Sequence, residues 1–253
     1  MSTTYLAHKG YDFFKEAVNI MMFEQERREV IKAGMKLDRY DLIALAGGNI
    51  SVRMPSGEIL MTPSGMIYED MGPEDVVVMT VDGEIIEGDR KPSSDTKALL
   101  YIFQQRPDIN AVIHTHQPYA TAIGLVQDEF TVNLTTLANA THGNVKVTPF
   151  SSANSIDMGI DTVKYLGDSL AIIMRHHGVM AVGDSLTQAL YACIYMEEAA
   201  KTHFAAMAMS SGKMHQMNAE QVQQAVEVFK YYGQGKPQTP EELTKRIAST
   251  DAE

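Results

Sequence analysis

Three histidines in two apolar contexts are the residues of this chain whose type and spacing could support chemistry. His114 and His116 follow the apolar run 111–113, and His177 follows a second apolar run, 170–174. On a strand, residues i and i+2 share a face and lie roughly 7 Å apart, at about 3.3 Å rise per residue. Two neutral imidazoles placed in this way can bind one divalent metal, and a second strand could supply the third ligand. Taken alone, the His-x-His pattern is also compatible with two unrelated histidines at a strand end.

Three turns made of small residues could hold an anion without a lysine or an arginine. They are the segments 47–51 (Gly-Gly-Asn-Ile-Ser), 62–65 (Thr-Pro-Ser-Gly) and 92–94 (Pro-Ser-Ser). Each offers hydroxyl and backbone N–H groups, and the third also precedes a predicted helix, whose N-terminus favours negative charge. Any one of them is equally an ordinary turn. Together with the three histidines they predict a site for a phosphate.

Composition narrows the function classes. The chain has 253 residues, of which 45% are apolar, enough for the core of one large domain or two small ones. Its net charge is −11 and it has no basic cluster interleaved with aromatics, so no nucleic-acid partner is expected. The longest apolar run, 189–196, is far shorter than the roughly 20 residues of a membrane span. No signal peptide is recognisable, and the single Cys193 favours a reducing cytoplasm.

The elements that must position these residues alternate between helical and extended patterns. The periodicity predicts helices over 11–37 (ending near Gly34), 95–104, a short segment after Pro118, 186–210 and 219–232. A turn that enters a strand is predicted over 47–53, and strands are predicted over 58–62, 76–81, 84–86, 111–113, 145–148 and 170–174. These strands and helices do not alternate regularly, as they would in a parallel sheet. This pattern predicts one α/β domain over residues 1–253, with a mixed, largely antiparallel sheet between helical layers and a polar tail from about 234.

In this order the motifs resemble those of the class II aldolase and adducin-head family. They read Gly48-Asn49-Ile50-Ser51, Thr62-Pro63-Ser64-Gly65, Pro92-Ser93-Ser94-Asp95, His114-Thr115-His116 and His177-Gly178-Val179, and the resemblance runs from about residue 15 to 233. The resemblance implies a three-layer α/β/α fold and a C4 homotetramer with active sites between subunits. It also implies a zinc or another divalent cofactor and a small phosphorylated sugar as substrate.

The resemblance further implies a role for each matching residue. It makes His114, His116 and His177 the zinc ligands, Asn49, Ser64, Gly65, Ser93 and Ser94 the phosphate-binding residues, Asp95 the carboxylate that handles a proton, and Tyr232 a tyrosine that reaches the neighbouring subunit's site. Two of these residues have other interpretations. Asp95 is compatible with a first-turn carboxylate stabilised by the helix dipole, and Tyr232 with a helix-end aromatic packed on the core.

One stretch departs from the family pattern. Aldolases of the family usually place glutamate where this chain has Asp95, whereas Ser-Ser-Asp-Thr is typical of the 4-epimerases. The epimerases also use an aspartate near the position of Asn139, which cannot carry a proton. Between residues 131 and 150 there is neither aspartate nor tyrosine, and His142 is the only group there that titrates near neutrality. His142 is therefore a candidate proton donor, with a solvated histidine in an ordinary turn as the alternative.

These expectations predict a zinc-dependent carbon–carbon lyase, an aldolase of carbohydrate metabolism. It would cleave a short ketose phosphate, similar to L-fuculose 1-phosphate, to dihydroxyacetone phosphate and an aldehyde. An L-ribulose-5-phosphate 4-epimerase, which breaks the same type of bond and re-forms it, is the main alternative. A decarboxylase or dehydratase of the family stays open, as does a metal-free structural module like the adducin head, against which the three histidines argue.

Overall fold

Consecutive residues along the central strands alternate between two apolar layers. Val112 and Ile172 belong to one buried cluster, whereas their neighbours Ile113 and Ile173 belong to the other. Because successive side chains of a strand point to opposite faces, helices cover the sheet on both sides. The computed structural model describes residues 21–210 and 212–229, and these form the three-layer α/β/α arrangement that the sequence predicts.

The helices of the described residues differ widely in length. They are α1 (Glu24–Arg39), α2 (Thr96–Gln105), α3 (Pro118–Val126), α4 (Thr135–Thr141), α5 (Asp157–Leu166), α6 (Leu186–Ser210) and α7 (Ala219–Phe229). Two single 3₁₀ turns, Tyr68–Asp70 and Pro73–Asp75, lie between the second and third strands. None of the helices in the described ranges is long and apolar enough to cross a membrane.

The strands are short and form one sheet. They are β1 (Asn49–Arg53), β2 (Ile59–Met61), β3 (Val77–Met79), β4 (Ile85–Glu87), β5 (Ala111–Thr115), β6 (Glu129–Phe130), β7 (Val145–Thr148), β8 (Ala171–Met174) and β9 (Gly178–Gly183). Their order is β4-β3-β2-β1-β5-β9-β8-β7-β6. Every neighbouring pair is antiparallel except β7 and β8, which run parallel. This confirms the predicted mixed, largely antiparallel sheet.

The two helical layers have different members. Helices α2 and α5 contribute Leu99 and Met158 to the cluster on one face, whereas α1, α3, α4 and α6 supply the cluster on the other. Cys193, in the middle of α6, is fully buried there, and its burial raises the pKa of the thiol. The thiol is therefore inert under ordinary conditions, as its apolar helical context leads one to expect.

The first helix corrects a prediction at both of its ends. Phe23 has a left-handed backbone (φ 56°) and α1 begins at Glu24, so the helix predicted from residue 11 does not pass through residues 21–23, and residues 11–20 lie outside the described part. The helix also continues past Gly34 to Arg39. Gly34 is no helix end: the ring of Tyr68 lies against it, and a Cβ there would fall 1.9 Å from the ring's Cδ1. Close packing, not chain reversal, requires the glycine.

Candidate metal centre and active site

Strand β5 brings two of the histidines together. His114 is the fourth residue of the strand and is buried, and His116 follows the strand's last residue and is exposed. Their Nε2 atoms lie 3.0 Å apart. The i, i+2 spacing therefore places both rings on one face of the sheet, as the sequence predicts.

The third histidine comes from a three-residue turn between β8 and β9. His177 donates its backbone N–H to the carbonyl of Met174 at 3.0 Å, and its ring centroid lies 4.7 Å from that of His114. His176, which has a left-handed backbone (φ 61°), carries an exposed side chain and is not part of the cluster. One nitrogen from each of the three rings lies within 4.8 Å of the others. Tetrahedral zinc needs ligand nitrogens about 3.3 Å apart, so this donor set fits a divalent metal.

The protonation state of the cluster suits a metal. Burial, and then the neighbouring His116 and His177, lower the pKa of His114 to about 3. Its Nδ1 lies 2.9 Å from the carbonyl oxygen of Val179, which can only accept, so Nδ1 carries the proton and Nε2 presents its lone pair to the cluster. Burial also lowers the pKa of His116 and of His177, against the opposing charge of Asp95. Neutral imidazoles are the form that binds a metal.

Strand β1 places a polar pair beside these rings. In the antiparallel register of β1 and β5, Asn49 stands directly opposite His114. The preceding Gly48 has φ +76°, and a Cβ there would lie 2.6 Å from the carbonyl oxygen of His114, so only glycine allows this approach. Asn49 Nδ2 donates to Asp95 Oδ2 at 2.8 Å, and both side chains are buried.

Asp95 stands at the start of α2 without capping it. The helix begins at Thr96, one residue later than predicted, and the Asp95 carboxylate makes no cap hydrogen bond. Ser93 organises the turn instead: its Oγ accepts the Asp95 N–H at 3.2 Å, and its carbonyl accepts the Thr96 hydroxyl at 2.6 Å. The carboxylate is left to bind Asn49 and to influence the pKa of His116 and His177.

The small-residue turns and the histidines line one cleft of about 190 Å³. Backbone bonds join two of the turns: Ser93 N–H donates to the Thr62 carbonyl at 3.0 Å, and Ser64 N–H to the Lys91 carbonyl at 2.9 Å. The residues around the cleft are Ala46, Gly47, Gly48, Asn49, Pro63, Ser64, Gly65, Ser93, Ser94, Asp95, His114, His116, Ala153, Asn154 and His177. This set unites all the expected metal and phosphate residues and Asp95, with no lysine or arginine.

Three cleft residues were not predicted from the sequence. Ala46 directly precedes the 47–51 turn, and Ala153 and Asn154 come from the loop between β7 and α5, which lies in sequence between His116 and His177. Asn154 has a left-handed backbone (φ 63°), a conformation that asparagine tolerates better than most residues. In the sequence, Ser-Ala-Asn-Ser reads as an ordinary turn, so no signal beyond the asparagine itself could have found it.

Of the expected catalytic residues, His142 does not line this cleft within one chain, and Tyr232 is not among the described residues. His142 ends α4 with a left-handed backbone (φ 60°) and lines a different cavity, together with Asp168, Asp184 and Glu227. A role for His142 at the metal therefore stays a prediction that requires a neighbouring subunit. Tyr232 and the tail from 234 lie outside the described residues, so their predicted roles are untested.

Buried polar side chains join the segment after His116 to α6 by hydrogen bonds. The sequence did not predict these contacts. Thr115 Oγ1 donates to Gln117 Oε1 at 2.7 Å, and Gln117 Nε2 donates to the Cys193 carbonyl at 3.2 Å. The carboxylate of Glu197, 1% exposed, accepts the backbone N–H groups of Tyr119 and Ala120 at 3.0 and 2.9 Å. These bonds fix the start of α3, directly after the second histidine.

The opposite end of α3 is tied to the turn that carries His177. Arg175 Nη1 donates to the carbonyl of Gly124 at 2.9 Å, and its guanidinium also pairs with Asp128. A cation that binds the last carbonyls of a helix also complements the helix dipole. Both histidine-bearing segments are thus connected to the same helix.

The chain is similar to known proteins of one family. Residues 28–204 match the model of the class II aldolase and adducin N-terminal domain. The chain is 30% identical over 215 residues to a 5-deoxy-D-ribulose 1-phosphate aldolase of Bacillus thuringiensis serovar kurstaki, covering 85% of this chain and all of the relative. It is 32% identical over 187 residues to an L-ribulose-5-phosphate 4-epimerase of Salmonella paratyphi C, covering 69% and 82%. A solved L-fuculose 1-phosphate aldolase superposes with a TM-score of 0.77 at 28% identity, covering 83% and 99%.

Proposed function

We propose that this chain, which belongs to the class II aldolase and adducin N-terminal domain family, is a divalent-metal-dependent aldolase that cleaves a short ketose 1-phosphate. The products would be dihydroxyacetone phosphate and an aldehyde. One observation supports this most directly: three neutral histidines, a buried carboxylate and the small-residue turns line a single cleft. The similarity to aldolases of 5-deoxy-D-ribulose 1-phosphate and L-fuculose 1-phosphate favours a substrate that carries its phosphate on carbon 1.

The metal would be zinc or another divalent ion held by His114, His116 and His177. When bound, it would supply Lewis-acid stabilisation of the negative charge that develops next to the substrate ketone. The chain prepares the ligands in advance. The hydrogen bond from His114 to Val179 orients that ring, and desolvation lowers the pKa of each imidazole, which favours the neutral form.

The phosphate would lie against the turns that contain Ser64, Gly65, Ser93 and Ser94. The N–H groups of Ser64 and Ser93 already bind backbone carbonyls, so these two residues would offer their hydroxyl groups. The Ser93 oxygen also accepts the Asp95 N–H, which orients the hydroxyl hydrogen toward another acceptor. Neutral donors of this kind bind a phosphate by short-range geometry, which suits an acidic chain of net charge −11.

Asp95 would act as the base. Cleavage of the carbon–carbon bond requires removal of the proton from the hydroxyl whose carbon becomes the aldehyde. The Asp95 carboxylate is buried in the cleft and fixed by Asn49, so it would meet that hydroxyl without rearrangement. The proton donors on the other side of the reaction are expected from Tyr232 and His142 of a neighbouring subunit, in a homotetramer.

The second candidate is a pentulose-5-phosphate 4-epimerase. Two observations favour it: Asp95 stands where aldolases usually have glutamate, and the Salmonella epimerase is 32% identical. An epimerase would retain the aldehyde and re-form the bond with the opposite aldehyde face, so it would release no dihydroxyacetone phosphate.

One assay separates these candidates. Zinc-loaded protein would be incubated with a panel of ketulose 1-phosphates and with L-ribulose 5-phosphate, and dihydroxyacetone phosphate would be measured by its enzymatic reduction with NADH. Release from a 1-phosphate, lost in the Asp95→Asn variant, is the expected result. Epimer formation by NMR without release would establish the epimerase. Protein that binds zinc at the three histidines and acts on none of these sugars would refute both.

The oligomeric state needs a separate test. We expect a homotetramer whose active sites lie between subunits, which light scattering on a sizing column would detect. A monomer with full activity would exclude any contribution of Tyr232 or His142 from a neighbouring chain.

A further inference from the structure

The buried carboxylate of Glu197 lies on α6, but its hydrogen bonds go to the helix that follows His116. Its Oε1 accepts the backbone N–H of Tyr119 at 3.0 Å, and its Oε2 accepts that of Ala120 at 2.9 Å. When the carboxylate is ionised, such bonds are charge-assisted and about twice as strong as bonds between neutral groups. Glu197 is 1% exposed and does not line the cleft of the three histidines. Its bonds therefore hold the first turn of α3 against α6, at a distance from the ligands themselves.

His116 depends on the place of that turn. It lies one residue past the end of β5, and its backbone N–H donates to the Leu42 carbonyl at 3.1 Å. Its side chain is exposed, so packing in the core does not hold the ring. Only Gln117 separates it from Pro118, the first residue of α3. A shift of the first turn of α3 would therefore be passed on to His116.

The last turn of α3 is joined to the segment that carries His177. Arg175, two residues before His177, donates through Nη1 to the Gly124 carbonyl at 2.9 Å, and its guanidinium pairs with Asp128. The helix also lies close against β8, because a Cβ at Gly124 would fall 2.7 Å from Ile173 Cγ2. At about 1.5 Å per residue, α3 spans about 13 Å between these two attachments. The helix therefore links the two histidines that lie outside the strands.

We propose that Glu197 is a positioning residue of the metal centre, because it holds the start of α3 and so fixes His116 relative to His177. Arg175 fixes the same helix at its other end. The inference rests on the proposed function, since it requires the three histidines to bind the metal. Metal–nitrogen bonds stay within about 0.2 Å of their preferred length. A small displacement of one ring should therefore weaken the site even when the fold is kept.

The affinity of the folded protein for zinc measures this effect, by competition with a chromophoric chelator. Residues that support a metal ligand commonly change metal affinity by about 10–100-fold. Because Glu197 acts through a helix, we expect Glu197→Ala to weaken zinc binding about tenfold, at the lower end of this range. Glu197→Gln keeps one acceptor oxygen and should weaken it less. In protein loaded with cobalt(II), the visible absorption bands report the ligand geometry, and they should change in Glu197→Ala.

Leu166→Ala is the control for a loss of stability alone. Leu166 is 2% exposed and belongs to the apolar cluster on the other face of the sheet from α3, so its truncation destabilises the fold without a contact to this helix. It should leave zinc affinity and the cobalt spectrum unchanged while circular dichroism shows that the zinc-free protein is folded.

A second variant tests whether the effect runs through α3. Arg175→Ala should also weaken zinc binding, and the double variant with Glu197→Ala should lose less than the product of the two single effects, because both residues hold one helix. Fully multiplicative losses would mean two separate contacts and would overturn the inference.

The other outcomes separate this inference from the proposed function. Equal zinc affinity in wild type and Glu197→Ala, or an equal loss in Leu166→Ala, overturns the inference and leaves the proposed function intact. Wild-type protein without a zinc site, or with one that survives in His116→Ala, refutes the proposed metal centre and this inference with it. If zinc-free Glu197→Ala is unfolded, Glu197→Gln provides the same comparison.

Discussion

Removal of the Glu197 carboxylate should destabilise the fold, although this residue does not line the cleft. Glu197 lies on α6, is 1% exposed and accepts two backbone N–H groups from the first turn of α3. Those N–H groups have no partner within their own helix, because the first four donors of any α-helix lack one. The carboxylate therefore caps a helix that is not its own.

The expected loss in the free energy of unfolding can be worked out from the two N–H donors that bind Glu197. In Glu197→Ala both lose their acceptor; the N–H of Ala120 is buried, whereas that of Tyr119 is partly accessible and can bind water. A buried donor left unpaired costs about 1–3 kcal/mol, and a partly accessible one less, so we expect a loss of about 2–4 kcal/mol. Glu197→Gln keeps one acceptor oxygen and should lose about 1–2 kcal/mol. Burial raises the pKa of Glu197.

That pKa shift sets the sign of the pH dependence. A carboxyl whose folded pKa is raised favours folding below its ordinary pKa, and this contribution is lost as the pH rises through the folded pKa. The Gln variant has no such group. The difference in stability between wild type and Glu197→Gln should therefore shrink as the pH rises above 4.5, the ordinary value for glutamate.

Urea unfolding of the zinc-free protein measures these changes without a contribution from metal binding. Glu198→Ala is the matched control: it is the adjacent glutamate, it is exposed, and its pair with Lys201 on the same helix should be worth about 0.5 kcal/mol or less. If Glu197→Ala unfolds within about 0.5 kcal/mol of wild type, the carboxylate does not support α3 and the reasoning fails.

Four further predictions concern the cleft. His116→Ala should lose both zinc and turnover, whereas His176→Ala, which alters the exposed neighbour of a ligand, should keep both in metal analysis and assay. Asp95→Asn should retain the fold and lower turnover by about 10²-fold or more. Unchanged turnover with bound zinc would show that Asp95 takes no part in the mechanism. Weakened zinc binding would indicate that Asp95 is a fourth metal ligand. Without zinc, the free energy of unfolding should fall as the pH drops from 6.5 toward 3, because His114 takes up a proton in the unfolded chain but stays neutral when buried in the fold. A free energy of unfolding by urea that does not change over this pH range would contradict this. His142→Gln should slow turnover only if assembly of the tetramer brings the His142 ring close to a metal site. Full activity of this variant would exclude His142 as a proton donor.

The parts of the site that could be predicted are those that depend on local sequence. A buried apolar strand followed by His-x-His places two rings on one face whatever the strand pairs with, and this held for His114 and His116. The turns 62–65 and 92–94 are rich in proline, serine and glycine, which favour turns over helices and strands. The turn at 183–185 and the polar stretch after 210 likewise predicted the bounds of α6, Leu186–Ser210.

The parts that could not be predicted depend on contacts between distant segments. The bond from Asn49 to Asp95 joins residues 46 apart. Backbone bonds from Ser93 to Thr62 and from Thr62 to Ile50 hold the Asp95 turn beside β1, and no local pattern specifies them. The predicted end of the first helix near Gly34 was wrong. Glycine is needed there because the Tyr68 ring packs against it, not because the chain turns. Helix α4, with the sequence Thr-Thr-Leu-Ala-Asn-Ala-Thr, is rich in poor helix formers and shows no helical signal of its own.

The segments that carry the three histidines of the cleft are supported by bonds from side chains to backbone atoms. His114 binds the Val179 carbonyl, Gln117 the Cys193 carbonyl, Glu197 two N–H groups of α3, and Arg175 the Gly124 carbonyl. A backbone partner is present whatever residue occupies its position, provided that it is not proline and the chain path is kept. Substitutions of similar size at Val179 and Cys193 should therefore leave these bonds in place, whereas Gly124 has no room for a side chain because a Cβ there would lie 2.7 Å from Ile173 Cγ2. The loop between β7 and α5 lines the cleft through Ala153 and Asn154 and makes none of these bonds, so we expect changes in it to affect substrate choice more than the arrangement of the histidines.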